Sequence, residues 1–156
     1  MSYLTRWFRQ EPKTFVDPRL GRLSLVGSRW IGEASFRGRK VGLLLVSRGT
    51  APEEDIVETT VQKLADLERV VPVALRHLAS TGVSDAIVLG LELCGLSVVR
   101  AHPDWVRTIQ PKPNPIAADS ITPGQIVWNV QFSAPGDLNV YEVTFFGEEP
   151  IEADYH

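Results

Sequence analysis

The chain has one cysteine, Cys94, in 156 residues. An intramolecular disulfide is therefore excluded, which suits a reducing compartment. Histidine is almost as scarce, with only His77, His102 and His156, and no Cys/His spacing matches a zinc site. No apolar run approaches the ~20 residues a membrane-spanning helix needs. The opening residues, MSYLTRWFRQ, have neither the apolar stretch nor the small-residue cleavage site of a signal peptide. The expectation is a cytoplasmic protein with no membrane partner. Phosphate-cradling loops are missing too, because neither Gly21–Gly27 nor Gly90–Gly95 lies in a strand–loop–helix setting.

What is present describes one globular domain. The length fits a single domain, and 44% hydrophobic with 22% charged residues is ordinary for a packed core. The net charge of −3 gives no overall pull toward nucleic acid. Its distribution is uneven. Residues 1–48 hold ten Lys/Arg against three acids, whereas residues 49–156 hold six against sixteen. Such asymmetry marks either a polyanion site or two ends that pack together and compensate. The basic residues are spaced out rather than in a dense run, which favours compensation.

Residues 1–13 read as an N-terminal arm in which Tyr3, Leu4, Trp7 and Phe8 share one face; it packs on the domain or meets a partner. Strands are expected over 21–27, 29–36 and 40–47, with turns at Gly27-Ser28 and Arg37-Gly38-Arg39. Thr50-Ala51-Pro52-Glu53 has the form of a capping box. Ile56, Thr60, Leu64, Leu67 and Val71 then follow helical spacing. Pro72 should kink or break this helix near 70–72, with a second helix running to Gly82. Residues 84–91 fit a helical turn or the start of a strand. Strand is expected over 93–100, followed by a proline-rich loop over 101–124. A hairpin of 125–133 and 138–146 turns at Ala134–Asp137. The acidic tail, 147–156, is expected to be mobile, apart from a short extension at Pro150–Ala153. This order predicts an α+β fold, a mainly antiparallel sheet covered on one face by a kinked or broken helix pair.

Asp17 with Leu20-Gly21, Trp30-Ile31-Gly32, the hairpin at Gly38, Trp128-Asn129-Val130-Gln131-Phe132 and Val140–Phe145 together resemble a loose bacterial family of uncharacterised α+β domains of the toxin-immunity type. The resemblance spans most of residues 14–150. It implies a protein that neutralises a partner by binding it, and it carries over no functional residue.

Catalytic chemistry has few candidates. His77 reads as a helix-surface residue. His102, near Asp104, is the best lone base. Cys94 reads as a structural thiol. Glu53, Glu54, Asp55 and Glu58 are explained by a helix start rather than by a metal, and Glu142 by an outward strand position. No cofactor and no metal are called for. Three functions remain: a binding module, a small-molecule domain or enzyme with a pocket between sheet and helices, and a structural module, with a homodimer through an edge strand. For the first, exposed aromatic and basic residues point to Trp105, Arg107, Arg37, Arg39 and Lys40 as contacts with a protein partner.

Overall fold

Alternating apolar and polar positions build most of the sheet, and one interrupted helical stripe covers it. The computed structural model describes residues 11–47, 49–101 and 124–156. Strands β1 (Thr14–Asp17), β2 (Gly21–Val26), β3 (Arg29–Phe36) and β4 (Arg39–Val46) come first. Helices α1 (Glu54–Ala65), α2 (Leu67–Ser80) and α3 (Asp85–Leu89) follow, then β5 (Glu92–Arg100), β6 (Ile126–Ser133), β7 (Tyr141–Phe146) and β8 (Glu149–Tyr155). The eight strands lie side by side in chain order. Every neighbouring pair is antiparallel except β4 and β5, which are parallel. A parallel pair needs a long crossover, and the three helices supply it. The class is thus α+β with a mostly antiparallel sheet.

Several local expectations change. The tail is not a loose end, because Glu149–Tyr155 forms an edge strand paired along β7. Its run of acids and its proline hide the strand in the sequence, and pairing supplies what propensity does not. A short first strand, β1, also joins β2. Asp17 closes the turn between them by accepting from the amides of Arg19 (2.7 Å) and Leu20 (3.1 Å). Burial alone would raise the Asp17 carboxyl, but these bonds and the Arg19 guanidinium hold it below its ordinary value. In the closing hairpin β7 starts at Tyr141, so Leu138 lies in the connection and not in a strand. Residues 85–89 are helical, with Ser84 accepting from the Ile87 amide at 3.4 Å.

The helical break falls at Asp66, not near 70–72. Asp66 ends α1 and starts α2. Pro72 sits inside α2 on its exposed side, and Glu68, whose carbonyl it cannot bond, is an exposed residue too. The capping box does not form, since α1 begins one residue after Glu53 and Glu53 makes no cap bond of its own. Ser47 takes that role from the end of β4. Its hydroxyl accepts from the Glu53 amide (2.7 Å) and donates to the Glu53 carboxylate (3.1 Å).

The core lies between one sheet face and the helices. Trp30, Leu43, Leu45, Leu96, Phe132 and Phe145 meet Ile56, Leu67, Ala74 and Leu78, all essentially inaccessible. Ion pairs fasten the helices to the sheet. Arg19 reaches Glu58 (2.6 Å) and Arg37 reaches Glu68, while Arg39 of β4 reaches Glu92 of the neighbouring strand β5. The basic first third of the chain thereby compensates the acidic remainder. Arg100 binds Glu53 (3.1 Å) and Asp55 (2.6 Å) at the start of α1. Lys63 lies 4.7 Å above the Trp128 ring while its ammonium meets Glu148 at 3.0 Å. Among the described residues no helix is long and apolar enough to cross a membrane.

Candidate functional site

The end of α2 sets one wall of a surface groove. The Gly82 amide bonds to the Ala79 carbonyl (3.4 Å) and the Val83 amide to the Leu78 carbonyl (3.2 Å). These two bonds form a Schellman motif, in which the apolar residue just past the helix contacts one in its last turn. Gly82 takes φ +102 there, a conformation that side chains rarely adopt. Val83 then leads into Ser84 and the short helix α3, which carries Ile87 and Leu89.

The opposite wall comes from β7, β8 and the connection before β7. Asp137 organises that connection, accepting from the Asn139 amide (2.9 Å) and from the Tyr141 hydroxyl (3.3 Å). Tyr141 in turn lies beside Tyr155 of β8, with ring centres 6.2 Å apart. Backbone bonds between Val140 and His156, 3.0 Å each way, extend the β7–β8 pairing to the rim.

The space between these walls is about 480 Å³, with Leu78, Val83, Ile87, Tyr141, Ala153 and Tyr155 supplying its apolar lining. Of its lining, Tyr155 is 66% exposed and Ile87 40%. Leu89 and Leu138, 87% and 98% exposed, follow or precede lining residues in the chain. Contiguous exposed apolar side chains mark a binding site far better than isolated ones. The lining includes neither histidine, cysteine, lysine nor arginine. Ser84 already caps α3, and the Asp154 carboxylate accepts from the Tyr155 amide at 2.8 Å. This arrangement can hold an apolar group and orient it by hydrogen bonds, but it offers no nucleophile paired with a base.

A second, smaller cavity of about 180 Å³ lies on the sheet face away from the helices, between Val99, Ala101, Val127, Asn129, Glu142 and Thr144. Glu142 is half-buried there and accepts from the Gln131 amide nitrogen at 2.8 Å. The Asn129 side-chain oxygen is buried without a partner. Among the described residues no cluster of His, Cys, Asp and Glu could hold a metal ion.

The sequence-derived contacts lie elsewhere. Arg37 and Arg39 flank the β3–β4 turn and Lys40 follows on β4. The Arg37 guanidinium bonds to Glu68 and sits 5.0 Å from the Phe36 ring centre. Its pairing with Glu68 raises the guanidinium further and lowers the Glu68 carboxyl. Arg39 pairs with Glu92, and Lys40 with Glu33 at 3.4 Å. All three stay more than half exposed. Glu68 and Leu78 are ten residues apart on α2, about 15 Å of helix, so this turn and the groove occupy opposite ends of that helix. Trp105, Arg107 and His102 lie outside the described residues. His77 is half-buried in the last turn of α2, and burial lowers its imidazole below the ordinary value.

Sequence reasoning missed Ile87, Leu89, Leu138 and Tyr155. One signal was readable, a leucine at 138 directly after the turn Ala134–Asp137. The others come together only through tertiary structure. The chain matches no known family model, no curated protein and no solved structure.

Proposed function

We propose that this chain is a non-enzymatic binding domain of the toxin-immunity type, which engages a partner protein through the groove between α2, α3 and the β7–β8 edge. The observation that carries the reading is a groove of about 480 Å³ whose apolar lining includes the exposed Ile87 and Tyr155, with exposed Leu89 two residues after Ile87 and exposed Leu138 next to lining Asn139. A small ligand filling that volume leaves Leu138 and Leu89 in water; a protein surface covers them. Burying one leucine contributes about 1.5–3 kcal/mol, so two or three such anchors supply the hot spot of an interface. The resemblance of the Trp30 and Trp128 strands to toxin-immunity domains supports the same class of activity. A reduced Cys94 suits a cytoplasmic setting.

The test is complex formation with the product of the adjacent gene, read by size exclusion and by protection of growth. Leu138→Ser with Leu89→Ser should abolish both while leaving the melting temperature within a few degrees, because neither side chain contributes to the core. A complex indifferent to these substitutions would place the interface elsewhere. Absence of any complex would remove the immunity reading.

A further inference from the structure

The sheet face turned away from the helices is open over its first strands. In β3 the buried Trp30 faces the core, so Arg29, Ile31 and Glu33 point outward, and all three are exposed. Leu44 and Val46 of β4 point the same way, beside Ile31 and Arg29, and Gly42 lies beside Glu33. Val16 and Val26, 64% and 58% exposed, extend the apolar patch onto β1 and β2. Outward positions of β5–β7 differ, since Ser97, Val127 and Thr144 are buried. Branched aliphatic side chains left in water on adjacent strands mark a docking face.

The charges on this patch define what fits it. Arg29 has no ion-pair partner among the described residues. Glu33 meets Lys40 at 3.4 Å with both side chains mostly exposed, and such a pair contributes little. Ile31 lies midway between Arg29 and Glu33, about 7 Å along the strand from each. A two-fold axis through Ile31, lying in the face and across the strands, sets β3 antiparallel over its own copy. Arg29 then stands over Glu33 of the second copy, and Glu33 over its Arg29. The same rotation sets Val46 over the bare backbone of Gly42, and Leu44 against Leu44, because their register on β4 matches that of Arg29, Glu33 and Ile31. An isologous interface requires this reciprocity. Two sheets stack in this way about 10 Å apart with their strands within about 30° of aligned.

We infer that the outward face of β1–β4 binds a second copy of this chain, with Ile31 on the two-fold axis and two Arg29–Glu33 pairs across it. Four strands about 4.8 Å apart and about 20 Å long present roughly 400 Å² per copy. That is small for a specific interface, so the dimer is weak and reversible.

Sedimentation equilibrium of the intact chain should show the mass rising from 17.3 kDa toward twice that value at high micromolar concentration. Arg29→Glu and Glu33→Arg should each raise the dissociation constant at least about tenfold. Mixed in equal amounts, these two variants should associate again, because one copy then offers two acids and the other two bases. Both substitutions in one chain should restore the dimer too. Ile31→Ser should weaken it, with melting temperatures within a few degrees throughout because these side chains are exposed. Leu89→Ser with Leu138→Ser, at the groove, should leave it unchanged. A chain that stays monomeric up to about 1 mM would overturn the inference. So would a dimer indifferent to both charge reversals, or single variants that fail to associate when mixed. A foreign protein released by Arg29→Glu, with no self-association of the intact chain, would replace the second copy as occupant.

Discussion

Trp30 and Trp128 are both almost wholly buried, yet their polar atoms fare differently. The Trp128 indole nitrogen donates to the Gly147 carbonyl at 3.0 Å, its ring stacks on Phe145 at 4.2 Å, and Lys63 lies above it. The Trp30 nitrogen is buried with no partner among the described residues, although its ring meets Phe15 edge-on at 6.3 Å. Leaving a buried donor unbonded costs about 1–3 kcal/mol. Trp30→Phe removes that unsatisfied donor along with some packing, whereas Trp128→Phe removes a made bond and strands an acceptor. Trp128→Phe should therefore lose about 1–2 kcal/mol more stability than Trp30→Phe, measured by urea unfolding. Equal losses would mean that packing area alone decides both sites. The tryptophans are legible as core from their alternating neighbours, but which one is satisfied depends on a carbonyl nineteen residues away.

At the scale of elements, α2 and β8 separate propensity from context. Pro72 removes one helical hydrogen bond, and proline inside a helix is disfavoured against alanine by about 3 kcal/mol. Here it sits on the exposed side of α2, so the helix continues while core contacts from Leu67, Val70, Ala74 and Leu78 hold it. Pro72→Ala is expected to raise stability by about 1 kcal/mol or more, with the restricted unfolded chain of the proline form offsetting part of the gain; a lower urea midpoint would show that the proline is structurally required. Strand β8 makes the opposite case. Its sequence, EPIEADY, has the composition of a tail, but it covers the edge of β7, and Glu148 just before it holds Lys63 and Arg69. Ending the chain at Gly147 should uncover β7 and abolish cooperative unfolding in circular dichroism melts. A truncated chain that melts cooperatively near the intact temperature would refute a structural role for β8.

Across the whole molecule, the carboxylates paired with arginine or lysine share one titration behaviour. Hydrogen bonds from arginine lower Glu53, Asp55, Glu58, Asp66 and Glu68, while Lys63 followed by Arg69 lowers Glu148. Each therefore binds fewer protons folded than unfolded at mildly acidic pH. Their stabilisation is complete above about pH 5 and is lost as pH falls through the ordinary carboxylate range near 4 and below. His77, lowered by burial, acts earlier: its contribution is intact above 6.5 and declines as pH drops below that value. Thermal melts should show a shallow loss from pH 7 to about 5 that His77→Gln removes, then a steeper loss toward pH 3. A melting temperature that rises on acidification would contradict this sign. Most of these groups are exposed, so salt weakens the effect.

Alternation over 21–27, 29–36 and 125–133, the apolar run over 40–47 and the helical stripe from Ile56 were enough to establish the class of fold, because local period determines which face of an element turns inward. Scarcity of cysteine and histidine bounded the chemistry in the same local way. The break at Asp66, the strand at 149–155 and the Ser47–Glu53 contact were decided by the folded structure, the last by a side chain meeting the helix start six residues on and the strand by its pairing with β7. So was the groove. Ile87 and Tyr155 are ordinary apolar residues in the sequence; they line one groove only where the end of α2, the short α3 and the β7–β8 edge converge without burying them.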